Sequence, residues 1–353
     1  MLQKKITMYL VTILTVLLFT QTQLVSQTLE ETLGKLAENS ATAYVQPVIS
    51  GFGSNLNSGW FNKAPSASIL AFDLELKIMG MGSFFSEENK TFSTSAPFRF
   101  NDVQINQILS NSGINPASAV GVSIKNEMLN TNFNVKMSGP TIIGSDQENM
   151  VIEFSGAVIQ GQTLGEATIQ LEEVKGVLTD MSIFPMGGIQ LGVGTVYGTT
   201  AAFRWFPDIE VEDLGKISFF GFGFMHNPSV WLPVPLPIDV GVGFFTQTLT
   251  VGDMFESTAT QFGVYASKTF GKGVTFTPYL GLTSESSTTT LSYTYELPTP
   301  TGVSEQKLSF DLEGENSMGV TLGAAFKLFV LNISVDYKMA STNTATAALS
   351  FTF

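Results

Sequence analysis

Cysteine is absent from the 353 residues, histidine occurs once, arginine twice, and only 13% of the chain is charged, against roughly a quarter in an ordinary soluble domain. Each shortage removes a class of chemistry. Without cysteine there is no disulfide framework, thiol nucleophile, cysteine zinc site or lipobox anchor. The single histidine, His226, excludes a histidine-rich metal centre. Lys and Arg total 17 against 30 Asp and Glu, which argues against nucleic acid, because phosphate neutralisation supplies most of that affinity. Long apolar runs are missing too: after Gln27 no window reaches 18 apolar residues, so the remainder holds no transmembrane helix. There is no Gly-x-Ser-x-Gly elbow, phosphate loop or calcium loop, and the glycines of Gly192–Gly198 are wrongly spaced for a dinucleotide turn. His226, beside Asn227 and Pro228, reads as the cap of a loop. The resulting expectation is a chain with no enzymatic activity, no catalytic residue, no cofactor and no metal.

What is present is apolar, glycine-rich and aromatic: 33 Gly, 29 Phe and a mean hydropathy of +0.23. Lys4 and Lys5 precede the apolar run Ile6–Phe19, and a polar stretch then ends at Leu24–Gln27. That layout predicts a secretory signal peptide over residues 1–26. Beyond it the apolar residues recur at every second position. Leu70, Phe72, Leu74, Leu76 and Ile78 alternate with Asp73, Glu75 and Lys77, and a strand places those charges on one face. The same period runs through Ile238–Phe244, Val274–Leu282, Met318–Phe326, Leu331–Tyr337 and Ala345–Phe353. Between the apolar positions stand mostly Gly, Ser, Thr and Gln, where a soluble sandwich would carry Lys and Glu. Segments of about 9–12 residues match a tilted strand crossing a bilayer, and aromatics gather near their ends as in interfacial girdles.

In hydrocarbon, strands are viable only when closure pairs every edge. The pattern therefore predicts an all-β protein: a transmembrane antiparallel barrel over residues 66–353, located after export in a Gram-negative-type outer membrane, with that membrane's lipid around it. Counting segments gives about 14 strands. Weak candidates at 91–100, 119–137, 150–160 and 166–178 contribute to that number.

Residues 27–65 read differently. Leu29, Leu33, Leu36, Ala37, Ala41, Tyr44 and Val45 have helical spacing, Pro47 is expected to end the helix, and Gly51–Asn62 follows as an irregular segment. This stretch is expected to act as a plug, with Leu33, Phe52 and Trp60 packed against small wall residues, or else to lie on the rim. Asp73, Glu75, Lys77, Arg204 and Asp239 are the lumenal candidates for contacting a ligand. The proline-rich His226–Pro237 cannot continue a ladder and is expected at the end that holds the C-terminus. Pro207–Gly215 and the turn at Ala340–Asn343 are expected at the opposite end.

Three segments, Ala43–Asn62, Pro185–Gly194 and Gly223–Pro233, resemble an uncharacterised family of outer-membrane barrels from Bacteroidota-type bacteria. An N-terminal plug ahead of about 14 strands is more distantly similar to the FadL-type transporters of hydrophobic compounds. That resemblance implies a plugged channel taking a hydrophobic small molecule. A structural or accessory barrel without transport, such as a subunit of a larger export or surface machine, and a narrow porin remain the alternatives, and the sequence leaves any protein partner open.

Overall fold

The computed structural model describes residues 38–353 apart from 173, 180, 212–214, 235 and 300–301. The signal-peptide reading of 1–26 and the plug residue Leu33 lie outside the described residues. The chain divides into two compact units. One contains Val48–Phe85 and Ser182–Phe353; the other contains, among the described residues, 38–47 and Ser86–Met181.

The first unit is a closed antiparallel barrel. With strands numbered along the chain, its wall is β1 (Leu70–Phe84), β8 (Ile183–Val196), β9 (Thr199–Val211), β10 (Gly215–His226), β11 (Asp239–Val251), β12 (Phe255–Ser267), β14 (Val274–Thr299), β16 (Met318–Leu328), β17 (Leu331–Met339) and β18 (Thr344–Thr352). Each pairs with the next in that order, and β18 pairs back with β1 from Glu75↔Thr352 to Ser83↔Thr344. Ten strands thus close, among the described residues, and no wall strand is left with an open edge. Alternation places the side chains as expected. Leu70 and Phe72 are 74% and 66% exposed on the outer face, whereas Lys77 and Arg204 are 2% and 0% exposed inside.

The count corrects the expected 14. The segments 272–283 and 286–297 are one 26-residue strand, β14. Its distal half leaves the wall to pair with β15 (Gly302–Glu313), and the short β13 (Phe270–Lys272) folds back on its start. The apolar alternation stops at Leu282 and resumes at Leu291 on the opposite parity, so the polar run Thr283–Thr290 reads as a turn although the backbone continues through it as one strand.

Among the described residues, 86–181 supply no wall strand, which corrects the reading of 66–353 as one barrel. Here β2 (Thr91–Phe98), β3 (Phe133–Pro140), β4 (Met150–Phe154) and β7 (Ala167–Leu171) form a separate antiparallel sheet in that order; β5 (Ala157–Ile159) and β6 (Gln162–Leu164) make a small hairpin. Two helices, α2 (Asp102–Asn111) and α3 (Ala119–Met128), are packed in the same core. Asn101 begins α2 with a reciprocal cap: its side chain accepts from Gln104 N–H, and Gln104 accepts from Asn101 N–H, both at 3.0 Å. Ile105, Ile108 and Leu109 of α2 and Ile124 and Met128 of α3 are fully buried among Met137, Ile152 and Phe154. Such a core withdraws apolar side chains into the unit's own interior, the opposite of a wall strand that turns them outward.

Residues 38–47 are built into this second unit. Ile142 N–H donates to the Tyr44 carbonyl at 3.0 Å, and the Tyr44 hydroxyl donates to the Lys175 carbonyl at 2.7 Å. Burial pushes the Tyr44 phenol above its ordinary pKa. They form the first half of α1 (Glu38–Leu56), which continues through Pro47 instead of ending there. Beyond the proline, Ile49 is 2% and Leu56 0% exposed. In an enclosed lumen every backbone group must find a partner, and a helix satisfies its own. That demand outweighs the one hydrogen bond Pro47 removes.

Candidate functional site

The second half of α1 and the segment 57–65 occupy the barrel lumen, and the wall grips them by their backbone. The helix ends at Leu56 inside the barrel, where its last carbonyls lack helical partners and carry partial negative charge. Three wall cations take these and the next carbonyls. Lys338 Nζ donates to the Ser54 carbonyl at 3.0 Å. Arg204 donates to the Ser58 carbonyl at 3.0 Å and to that of Leu56 at 3.5 Å. Lys77 Nζ donates to the Gly59 and Trp60 carbonyls at 2.9 and 3.3 Å. Two wall amides complete the grip: Gln247 donates to the Leu56 carbonyl and Gln190 to that of Trp60.

Charge balance comes from Glu75, Glu285 and Asp336, also on the inner face. Glu285 pairs with Lys338 at 2.8 Å, with side chains 0% and 2% exposed. Asn62 of the segment donates to Glu75 at 2.7 Å, and the Tyr279 hydroxyl donates to Asp336 at 3.0 Å. Arg204 holds no hydrogen-bonded carboxylate among these contacts. Its guanidinium lies 3.8 Å from the Trp60 ring centroid and donates to Gln190 Oε1 at 3.1 Å, so carbonyls, an amide and a π face share its charge.

Aromatic packing fills the remaining space. Trp60 stacks on Phe245 at 4.9 Å, and Phe61 packs on Tyr265 and Tyr279 at 4.4 and 5.2 Å. Glycine makes room: a Cβ on Gly221 would stand 3.0 Å from Trp60 and 2.3 Å from the Gln247 Cβ. On α1 itself, a Cβ on Gly53 would meet the Ser287 Oγ at 2.0 Å and its Cβ at 2.7 Å. Gly53→Ala is therefore expected to push the helix from the wall and lower barrel stability by about 1–3 kcal/mol. A lowered unfolding midpoint, followed by the heat-dependent gel shift of the barrel in detergent, checks this; an unchanged midpoint contradicts it.

Of the residues singled out in the sequence, Glu75, Lys77, Arg204 and Trp60 come together in this network. Phe52 lies beside it, in ring contact with Phe184 and Phe255 at 4.5 and 4.7 Å. Asp73 is at the mouth, 3.4 Å from Lys63. Asp239 opens β11, eight residues along that strand from Gln247, and contributes no hydrogen bond to the Arg204 group. Lys338, Glu285, Asp336, Gln190 and Gln247 were not singled out as site residues. Their signal was available: each is a long polar side chain on the inner face of a period-2 strand. A cavity of about 60 Å³ remains at this mouth, lined among others by Trp60, Lys63, Asp73, Glu75, Met225 and Phe245; it has room for a few waters.

His226 lies at the end of β10. Its Nε2 accepts from the Trp231 indole at 3.1 Å and its Nδ1 meets the Thr199 hydroxyl at 2.9 Å. Trp231 stacks on Tyr197 at 5.9 Å, which orders the proline-rich loop.

The model of a family of unknown function, DUF6588, matches residues 3–353. No curated protein matches the chain. Solved barrels do. A loop-deletion form of OmpT, an outer membrane protein of Vibrio cholerae, is 10% identical over 80% of this chain and 99% of its own, with a TM-score of 0.24. The outer membrane protease OmpT of Escherichia coli is 7% identical over 82% and 100%, TM-score 0.27. The Ralstonia pickettii toluene transporter TbuX is 8% identical over 86% and 98%, TM-score 0.20. The fold is that of an outer-membrane β-barrel. The expectation of no enzymatic activity is withdrawn, because an outer-membrane protease stands among the similar structures and a barrel of this kind does not by itself exclude catalysis.

Proposed function

The chain belongs to this family of unknown function, DUF6588, and we propose that it is an outer-membrane anchor: a barrel sealed by its own residues 48–65 that holds the unit of 38–47 and 86–181 at the membrane. Its apolar outer face takes outer-membrane lipid. The observation that carries this reading is the grip on the segment's backbone by buried Lys77, Arg204 and Lys338. A side-chain contact can be exchanged for a ligand's, whereas carbonyls held by buried cations leave unpaired polar groups on both sides when they part. The segment is fastened as a structural part of the barrel.

Uptake of a hydrophobic small molecule is less well supported. Such a ligand needs an apolar chamber of several hundred Å³, and the cavity at the mouth is about 60 Å³ with Lys63, Asp73 and Glu75 in its lining. Uptake would require 48–65 to withdraw. A narrow porin would need a continuous aqueous path beside that segment.

The purified, folded protein in a planar bilayer tests the proposal. The expected record is silent, without stable conductance steps. Steady steps from the unaltered protein would support the porin reading and overturn the sealed anchor. Stoichiometric co-purification of one apolar compound class, absent from a control barrel, would overturn it in favour of uptake.

A further inference from the structure

The filled lumen also has a direction. Near the start of the segment, Gly51 accepts from Ser83 at the end of β1, Asn55 donates to Phe184 at the start of β8, and Ser54 donates to Thr342 in the turn between β17 and β18, at 3.0, 2.8 and 2.8 Å. Near its finish, Asn227 after β10 donates to the Pro65 carbonyl at 2.6 Å. Ala64 N–H donates to Ser267, the last residue of β12, at 3.0 Å, and Tyr197 N–H donates to Ile69 at 2.9 Å. The register puts these two sets at opposite ends of the wall: Ser83 pairs with Thr344, while Leu70 pairs with Val196. Residues 48–65 therefore run through the lumen from end to end, and β1 then returns along the wall. Phe353 N–H donates to the Leu74 carbonyl at 2.9 Å, in the half of β1 near Leu70.

The two ends are unlike. At the Phe353 end, β8 joins β9 through Tyr197–Gly198 and β16 joins β17 through Phe329–Val330, and the longest connection, between His226 of β10 and Asp239 of β11, is far shorter than 86–181. At the other end the chain leaves β1 for 86–181, the β14–β15 hairpin extends beyond the wall, and Val48 enters. Outer-membrane barrels keep short turns on the periplasmic side and longer excursions outside.

We infer that the chain threads its own barrel, so that residues 38–47 emerge on the outer surface of the cell, at the end from which 86–181 departs, while Phe353 faces the periplasm. The polypeptide crosses the membrane inside the lumen before it first crosses as wall. The barrel's further function is then display: it carries the unit of residues 38–47 and 86–181 to the external medium. This inference rests on the anchor reading, but its test is separate, since labelling reads where residues emerge and conductance reads whether the lumen is closed.

The absence of cysteine makes the test direct, because one substitution introduces the sole thiol. Full-length Asn39→Cys, Ser341→Cys and Lys272→Cys variants, all at exposed positions, are produced in Gram-negative cells and checked for the folded gel band. Intact cells are treated with a membrane-impermeant maleimide. Asn39→Cys and Ser341→Cys should be labelled at least tenfold more than Lys272→Cys, which should label only after the outer membrane is permeabilised. Labelling of Ser341→Cys without Asn39→Cys on intact cells overturns threading. Labelling of Lys272→Cys alone overturns the orientation, and absence of all three from intact cells overturns surface display.

Discussion

Arg204→Met is expected to turn the silent barrel into a flickering one. The guanidinium is fully buried and donates to the Ser58 carbonyl, the Leu56 carbonyl and Gln190 while lying 3.8 Å from the Trp60 ring. Methionine keeps apolar bulk but leaves those acceptors short of a donor, at about 1–3 kcal/mol for each group left unsatisfied. The effect falls on the segment and spares the wall, because the ladders of β9 with β8 and β10 use backbone groups only. A loss of about 3 kcal/mol corresponds to roughly a hundredfold rise in the fraction of barrels with the segment displaced. Planar-bilayer recordings should show transient openings where the unaltered protein shows none, while the folded gel band persists. Arg204→Lys should rescue poorly, since an ammonium cannot reproduce the planar fork that reaches Ser58 and Gln190 together. A silent Arg204→Met barrel would show that the aromatic packing of Trp60 and Phe61 alone holds the segment.

Lys338→Met is expected to have the largest effect on stability. Lys338 and Glu285 form a 2.8 Å ion pair that is almost completely buried, and Lys338 also donates to the Ser54 carbonyl. Removing one partner of such a pair strands a buried charge, at about 3–5 kcal/mol. The double variant Lys338→Met with Glu285→Gln removes the stranded charge, so it should recover part of the loss even though the ion pair is gone. Urea midpoints of the heat-shifted gel band for the two single variants and the double variant form a complete cycle. Equal destabilisation of Lys338→Met alone and in combination with Glu285→Gln would mean that the Ser54 contact, not the ion pair, carries the role of Lys338.

Much of the wall was legible in the sequence, for a local reason. In a strand the face of each side chain follows from parity alone, so Leu70 through Ile78 could be sorted into outward apolar and inward polar positions without knowing any neighbour. The same parity placed Arg204, Glu75 and Lys77 inside. It could not say which inner-face charges would meet: Lys338 and Glu285 are 53 residues apart, and only closure of the ring brings them together. The stretch 86–181 misled because strands of a separate sheet also alternate, with Val135 and Met137 buried in that unit's own core where a wall strand would turn them to lipid. Pro47 misled as a helix stop because the environment that keeps α1 intact, an enclosed lumen, lies beyond the sequence neighbourhood.

The sequence by itself thus determined that this is an apolar, cysteine-free barrel with a polar interior and an N-terminal segment unlike its wall, since composition and period-2 spacing act residue by residue. Tertiary structure alone decided that ten strands close, that 86–181 forms a sheet of its own, and that residues 48–65 run the length of the lumen under the grip of Lys77, Arg204 and Lys338. Those outcomes depend on which distant backbone groups satisfy one another once water is excluded, and hydrogen-bond partners across such separations are fixed by closure of the ring, not by any local pattern.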